Sequence, residues 1–272
     1  MAITTDMLVE GRHFLAGADP RSLGHKALAV NLSDLAAIGA APRWALLAIA
    51  LPSADEAWLG EFSAGLFALA ERYGVDLVGG DTTRAQLRMI TITALGEVPA
   101  GVAMYRAGAR PGDDVWVSGE LGGAALALAH PGIASVAARL HRPEPRVELG
   151  ERLRGLARAA IDISDGLVGD LGHILERSQV CAVLYYDQIP KAQALREFDA
   201  GLQEDCVLSG GEDYELAFTA PPDKRRELEA LSRELGLALT NIGSIQKGAP
   251  KLHVLDAHGR PMQYKAAFDH FA

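Results

Sequence analysis

The sequence predicts an α+β protein, of mixed α/β character, with two domains that cover residues 1–108 and 109–272. Apolar segments of strand length and of helix length alternate along both halves of the chain. A turn cluster over residues 110–114, Arg-Pro-Gly-Asp-Asp, interrupts this alternation near the middle. With 272 residues, of which 49% are hydrophobic, the chain can bury one large core or two modest ones.

Local signals in the first half predict the order strand, helix, strand, helix, strand, strand. Asp19-Pro20 supplies an N-cap and a first-turn proline, and Gly39 a stop, so we expect a helix over residues 20–38. Ser53 and Glu56 have the spacing of a capping box, which predicts a second helix that runs to about Tyr73. Strands are expected at residues 2–6, 43–51, 76–78 and 87–95.

The second half continues the alternation. A helix is expected from the end of a proline-rich connector at residue 146 to about Ala159. Residues 160–164 are predicted to form a short strand that turns at Asp165-Gly166 into another helix. A charged amphipathic helix is expected over residues 222–235, and further strands are expected at residues 115–118, 216–219, 240–245 and 251–255.

Composition argues against several classes of protein. The net charge is −9 and no basic run offsets it, so we expect no nucleic-acid partner. The longest apolar run, residues 44–51, is too short to cross a bilayer, and the N-terminus lacks the pattern of a signal peptide. The two cysteines, Cys181 and Cys206, lack the spacing of a zinc site or a disulfide framework. We therefore expect a soluble, cytoplasmic protein without a membrane partner.

The stretch from Leu77 to Arg84 suggests a ligand-binding site, because it joins an apolar strand end to two glycines, an aspartate, two threonines and an arginine. Glycines let the backbone approach a ligand closely. A carboxylate can hold a metal ion there, and hydroxyl and guanidinium groups suit phosphate oxygens. The stretch predicts a metal–phosphate site at a strand end. The alternative is a glycine-rich turn with a solvated aspartate.

Four further aspartates lie at predicted strand ends or on an apolar helix, where an unpaired carboxylate would be costly to bury: Asp6, Asp34, Asp162 and Asp165. Bound cations would remove that cost. Oxygen ligands without a cysteine or histidine cluster favour Mg²⁺, which binds one or two carboxylates together with water and phosphate oxygens. The sequence has no GxxxxGK[ST], GxGxxG, GxSxG or HExxH motif, so a nucleotide would have to bind in another way.

Six segments resemble the motifs of the thiamine-monophosphate kinases, in the order of that family: residues 4–14, 26–37, 79–83, 161–167, 208–215 and 268–271. The family belongs to the superfamily of aminoimidazole ribonucleotide synthetase and selenophosphate synthetase, and the resemblance covers essentially the whole chain. It implies phosphorylation of thiamine monophosphate by ATP. It also implies a two-domain fold like that of aminoimidazole ribonucleotide synthetase, with nucleotide bound between the domains and a homodimer formed by the N-terminal domains.

The resemblance also implies roles for individual residues. It assigns the Mg²⁺ ions to Thr4, Asp6, Asp34, Asp81, Asp162 and Asp165. It assigns ATP to Gly80, Asp81, Arg106 and Ser164, and the thiamine phosphate to His13, Glu212 and Phe268. Of these, Asp81, Asp162 and Arg106 are expected to be catalytic. Taken singly, His13 and Arg106 fit a packed or surface side chain. Phe268 alone fits a terminal core aromatic, and Glu212 alone fits a turn cap.

The sequence departs from the family pattern at its start. Members of the family carry a Gly-Asp-Asp motif, with a further metal-binding aspartate, ahead of the segment that corresponds to residues 4–14, and the sequence given begins after that motif. Two alternatives to the kinase stay open. One is another ATP-dependent synthetase of the same superfamily. The other, which follows from the missing motif, is a non-catalytic dimeric protein that binds nucleotide or metal weakly.

Overall fold

The computed structural model of the protein describes residues 1–267, in which two β-sheets are flanked by helices. The first half contains β1 (Ala2–Val9), α1 (Pro20–Ala37), β2 (Ala41–Leu51), α2 (Glu56–Tyr73), β3 (Asp76–Arg84) and β4 (Met89–Glu97). The second half begins with β5 (Asp114–Ser118), α3 (Gly123–Ala129), α4 (Ala134–His141), α5 (Val147–Leu153), β6 (Ala159–Asp162) and α6 (Leu167–Ser178). It continues with β7 (Cys181–Tyr185), α7 (Ala200–Glu204), β8 (Leu216–Ala220), α8 (Arg225–Leu235), β9 (Leu239–Gln246) and β10 (Lys251–Leu255). The predicted mixed α/β class is confirmed.

The predicted start of α1 is confirmed, because the Asp19 side chain accepts a hydrogen bond of 2.9 Å from the Ser22 amide. The predicted capping box at Ser53 is wrong. Asp55 caps α2 instead and accepts hydrogen bonds of 3.1 Å from the amides of Ala57 and Trp58. The helix expected to run to Ala159 ends at Leu153, since residues 159–162 pair with β8 as a strand.

Residues 79–83 lie within β3 rather than in a turn that follows it. Parallel pairing with β2 keeps this segment extended as far as Arg84. Gly80 lies so close to β2 that a Cβ atom on it would overlap the Leu47 carbonyl oxygen. Here the glycine serves close strand packing, and the strand ends six residues later than its apolar portion indicates.

The first sheet has the strand order β1-β4-β2-β3 and packs one face against α1 and α2. Its edge strands are β1 and β3 within the described residues. Ile3, Met7 and Leu46 lie on the opposite face and are 64%, 53% and 40% exposed. This face is therefore apolar and uncovered in the single chain.

The second sheet has the order β10-β7-β9-β5-β8-β6. Its strands alternate between two cores. Trp116, Ala160 and Phe218 share one core with α1, α2 and the first sheet, whereas Val117 and Ile161 face a second core beneath α3 and α6. The halves of the chain are thus packed together through a common core. The boundary at residue 108 falls in the connection 98–113 and stays a prediction.

None of the single helices within residues 1–267 has both the length and the apolar composition to span a membrane. Helices α3 and α4, which meet at an angle of 108°, satisfy both criteria only when they are taken together.

Candidate active site

A cavity of about 710 Å³ lies between the two halves of the chain. β1 and the turn after it contribute Asp6 and His13. α1 contributes Lys26, Val30 and Asp34, which follow one another at intervals of four residues and so share one face of the helix. The second half contributes Asp162, Ser164, Asp165, Glu212 and Tyr214. Seven of the residues that the sequence assigned to a site therefore line this one cavity.

Carboxylates from three different elements crowd together at one end of the cavity. Burial, together with the nearby carboxylates of Asp34 and Asp165, raises the pKa of Asp6 to about 7. Burial likewise raises the pKa of Asp162 well above its usual range, with Asp34 adding to the effect. Each of these groups is thus held where ionisation is unfavourable without a cation nearby.

Thr4 and Arg106 lie beside this carboxylate group, although neither lines the cavity. Thr4 Oγ1 donates a hydrogen bond to Asp34 Oδ2. Burial raises the pKa of Asp34, and both the Thr4 hydrogen bond and the positive charge of Arg106 oppose that increase. Arg106 is therefore close enough to Asp34 to act on it electrostatically. Its predicted contact with a nucleotide stays a prediction.

Two loops of the second half, residues 163–166 and 209–214, also line the cavity and are joined to each other by backbone hydrogen bonds. The amides of Glu212 and Tyr214 donate hydrogen bonds of 2.8 Å to the carbonyl oxygens of Ser164 and Ile163. A Cβ atom at Gly211 would overlap the Ser164 carbonyl oxygen, so glycine is required there. The position of Ser164 thereby fixes the position of Glu212.

Asp170 anchors the first of these loops. Its Oδ2 atom accepts hydrogen bonds of 3.0, 3.0 and 3.1 Å from the consecutive amides of Ser164, Asp165 and Gly166. Burial raises the pKa of Asp170 to about 7, and the amide hydrogen bonds work against that rise. One carboxylate oxygen therefore holds the backbone that carries both Ser164 and Asp165.

The segment after the second loop is secured by buried charges. Asp213 accepts a hydrogen bond of 2.8 Å from the Gly122 amide, and burial raises its pKa to about 7. Glu215 is fully buried and forms ion pairs with Arg139 and Arg146. Because these carboxylates flank Tyr214, the acidic run 212–215 is chiefly a structural anchor except at Glu212.

Gly80 and Asp81 do not join the other predicted site residues within one chain. They lie on β3, three strands from β1, which corresponds to roughly 14 Å. The registers place Asp81 in one row with Met7, whereas Asp6 is in the neighbouring row with Gly80. Because alternate residues point to opposite faces of a sheet, Asp81 and Asp6 project to opposite sides. Phe268 lies outside the described residues.

The carboxylates of the cavity fit Mg²⁺ only if a bound phosphate completes the set of ligands. Within residues 1–267, no three His, Cys, Asp or Glu side chains are close enough to hold an ion by themselves. The crowded carboxylates of Asp6, Asp34 and Asp162 nevertheless supply hard oxygen donors whose burial disfavours the charged form. Mg²⁺ typically combines one or two such carboxylates with water and substrate phosphates. The residues therefore fit ions that a phosphate ligand helps to hold.

Sequence reasoning missed Lys26, Ser33 and Asp170 as site residues. Lys26 is a charged residue on an otherwise apolar helix, the same signal that drew attention to Asp34. Ser33 donates a hydrogen bond of 2.7 Å to Asp162 from the other half of the chain. Asp170 has no comparable signal, because the amides that it holds precede it in an irregular loop.

Comparisons with known proteins agree with this architecture. Residues 1–98 match the family model for the N-terminal domain of AIR synthase related proteins, and residues 110–254 match the model for their C-terminal domain. The thiamine-monophosphate kinase of Salmonella typhimurium is 45% identical over 284 residues, which cover 100% of this chain and 87% of the relative. The fold and the acidic cavity thus define an AIR synthase related protein.

Solved structures narrow the relationship. The crystal structure of thiamine-monophosphate kinase from Stenotrophomonas maltophilia superposes with a TM-score of 0.90 at 47% identity, covering 93% of this chain and 84% of that one. A structure described as AaThiL complexed with AMPPCP and TMP has a TM-score of 0.86 at 31% identity, covering 99% and 86%. The chain belongs to the thiamine-monophosphate kinase family.

Proposed function

We propose that the protein transfers the γ-phosphoryl group of ATP to the phosphate of thiamine monophosphate, which gives thiamine diphosphate and ADP. The observation that carries this proposal is the convergence of Asp6, Asp34 and Asp162, from β1, α1 and β6, at one end of an interdomain cavity. The relative solved with AMPPCP, an ATP analogue, and TMP supports the choice of both substrates.

Mg²⁺ is the proposed metal, and Thr4, Asp6, Asp34, Asp81, Asp162 and Asp165 are its proposed ligands. When bound, the metal would screen the negative charge that two phosphate-bearing substrates bring together. The raised pKa values of Asp6 and Asp162 support this proposal, since a bound cation would compensate the burial and the mutual repulsion that raise them.

The acceptor needs little activation. A phosphate monoester has a second pKa near ~6, so its oxygen is already largely ionised at neutral pH and requires no general base. The contribution of Asp81, Asp162 and Arg106 would be electrostatic stabilisation and alignment. We expect direct transfer without a phosphoenzyme intermediate.

The substrate contacts are also proposed by motif position. Gly80, Asp81, Arg106 and Ser164 would contact ATP, while His13, Glu212 and Phe268 would contact thiamine phosphate. His13 and Glu212 both line the cavity that also contains Asp34, which supports binding of both substrates in one space.

A homodimer would complete the site. The uncovered face with Ile3, Met7 and Leu46 is suited to a second copy of the same sheet. Strands β1 and β3 are both edges, so β3 of one copy could lie along β1 of the other. That arrangement would bring Asp81 of the partner subunit towards Thr4 and Asp6.

Three broader predictions accompany this function. We propose a cytoplasmic location, because ATP is the donor and Cys181 and Cys206 are free thiols. We propose no nucleic-acid or membrane partner, in keeping with the net charge of −9. We place the domain boundary at residue 108, between the two matched family models.

The test is to incubate the purified protein with ATP, Mg²⁺ and thiamine monophosphate and to separate the thiamine compounds by chromatography. Thiamine diphosphate should form only when all three are present, and free thiamine should not replace the monophosphate. Hydrolysis of ATP that is independent of thiamine monophosphate would instead favour another ATP-dependent synthetase. Absence of both reactions would favour a non-catalytic protein.

A further inference from the structure

Lys26 is an unusual residue for the interior of a helix. It lies on α1 between Leu23, Ala27 and Val30, and it is only 5% exposed. A buried ammonium group is unfavourable unless an opposite charge compensates it. Lys26 forms an ion pair with Glu212, which comes from the second half of the chain. The pair therefore connects α1 to the loop that carries a proposed substrate contact.

Glu212 is held in a conformation that directs it towards α1. Its φ angle is +73°, in the left-handed region that non-glycine residues rarely adopt. The hydrogen bond of 2.8 Å from its amide to the Ser164 carbonyl oxygen stabilises that conformation. Strain of this kind is typical of functional sites where the surrounding structure fixes the backbone.

The carboxylate of Glu212 keeps capacity for a ligand. Its Oε2 atom is buried against the Lys26 ammonium group, so the accessible part of the side chain is not the oxygen that Lys26 contacts. The Glu212 side chain is 25% exposed, and the residue lines the cavity. A donor on a bound molecule could therefore hydrogen-bond to Glu212 while Lys26 remains beside it.

The Lys26–Glu212 pair and the carboxylate group lie at different positions along the same face of α1. Lys26 and Asp34 are eight residues apart on one helix, which corresponds to about 12 Å. Phosphate groups are proposed to bind near Asp34, so Lys26 lies about two helical turns from the proposed phosphate position. That distance argues against a direct contact between Lys26 and the transferred phosphate.

We propose that Lys26 is a positioning residue for the acceptor substrate. Its ammonium group holds the Glu212 side chain in place at the cavity, where the carboxylate accepts a hydrogen bond from an amino-substituted heteroaromatic ring. The aminopyrimidine of thiamine monophosphate belongs to that chemical class. The inference rests on the proposed function for the identity of the ligand, but it concerns binding and is measurable without turnover.

The experiment measures the Kd of thiamine monophosphate by calorimetry and the KM values of both substrates for a double-mutant cycle. Lys26→Met should raise the Kd and KM of thiamine monophosphate roughly ten- to a hundredfold, and the KM of ATP by less than about twofold. In a Glu212→Gln background, Lys26→Met should add less than about twofold. Arg21→Met, on the same helix with the exposed partner Glu61, is the matched control and should change neither value.

Independent, multiplying effects of the two substitutions would overturn the proposal, because Lys26 would then act without Glu212. A similar rise in both KM values with a lowered Tm would also overturn it, since this indicates a general packing role. If Lys26→Met does not fold, Lys26→Gln enters the same cycle. A wild-type protein that binds thiamine monophosphate without phosphorylating it would refute the proposed function, and the Kd values alone would then test Lys26.

Discussion

Ser33 on α1 donates a hydrogen bond of 2.7 Å to Asp162 at the end of β6, and both side chains are buried. The bond joins the two halves of the chain at the carboxylate end of the cavity. Its acceptor is a group whose pKa is raised well above the usual range by burial, and the Ser33 hydrogen bond opposes that rise. Ser33 therefore favours the ionised form of Asp162, the form that can bind a cation.

Ser33→Ala should lower the turnover rate by roughly tenfold or more, because Asp162 loses the hydrogen bond that stabilises its negative charge. The defect should be partly relieved by raising the Mg²⁺ concentration. Ser63→Ala on α2, outside the cavity lining, is the matched control and should behave like the wild type. Wild-type kinetics in Ser33→Ala would show that this bond is irrelevant to the site.

The requirement for Mg²⁺ should depend on pH. Asp6 has a pKa of about 7 before a cation binds, and the pKa of Asp162 is higher than usual as well. Below pH 7 protons compete with the metal for these oxygens, so the half-saturating Mg²⁺ concentration should rise as pH falls from about 8 to 6. The rise should reach about tenfold per pH unit for each proton displaced.

Initial rates at saturating ATP and thiamine monophosphate, measured over a range of Mg²⁺ at several pH values, check this dependence. Asp6→Asn should need more Mg²⁺ at pH 8 and show a shallower pH dependence. A half-saturating concentration that does not change with pH would contradict the proposed competition.

Asp170 should control nucleotide binding through the loop that it anchors. Asp170→Ala removes the acceptor of three consecutive amides and should raise the KM of ATP by about tenfold. Asp170→Asn should be much milder, because a single oxygen accepts all three hydrogen bonds and the amide retains one. Asp55→Ala removes the cap of α2, which is not part of the cavity lining, and should lower Tm without changing the KM of ATP. Equal KM values for Asp170→Ala and Asp170→Asn would disagree with this explanation.

Asp81 and Asp162 should complement each other between subunits. Asp81→Asn and Asp162→Asn should each be folded and inactive as homodimers. If Asp81 acts on the site of the partner subunit, mixed dimers contain one intact site, and an equal mixture should regain about a quarter of the wild-type activity after subunit exchange. No recovery in demonstrably mixed dimers would place both aspartates in the same chain's site, or exclude Asp81 from it.

Much of the fold was predictable because its signals are local. Asp19-Pro20 fixes the start of α1, and the left-handed Gly74 fixes the end of α2. The capping box at Ser53 failed because Asp55, two residues later, presents its carboxylate to the free amides of the first turn. Local patterns predict that a helix begins in this region. They do not decide which of two polar residues in one turn becomes the N-cap.

The position of Asp81 was not predictable from local patterns. The sequence indicates a strand end followed by a glycine turn, yet parallel pairing with β2 keeps the chain extended to Arg84. The separation of Asp81 from Asp6 follows from the order β1-β4-β2-β3, which depends on how distant segments pair. The motif resemblance predicts that Asp81 is a site residue without indicating which chain's site it would enter.

The sequence was sufficient to predict that Asp6, Asp34 and Asp162 belong to one site, because each is a carboxylate in an otherwise apolar setting. The partners that set their properties were not predictable. Ser33 faces Asp162 and Lys26 faces Glu212 only because the shared core presses α1 against the second half of the chain. Such pairs depend on tertiary packing, and no pattern in the sequence indicates them.

The most direct test of the central claim is the stoichiometry of ADP and thiamine diphosphate formed by the wild type and by Asp162→Asn. We predict equal amounts of both products from the wild type. The folded Asp162→Asn protein should form them at least about a hundredfold more slowly, because a buried carboxylate near the proposed phosphate position is lost. A wild-type protein that releases ADP without thiamine diphosphate, or an Asp162→Asn protein that works at the wild-type rate, would contradict the assignment of this cavity as the site of phosphoryl transfer.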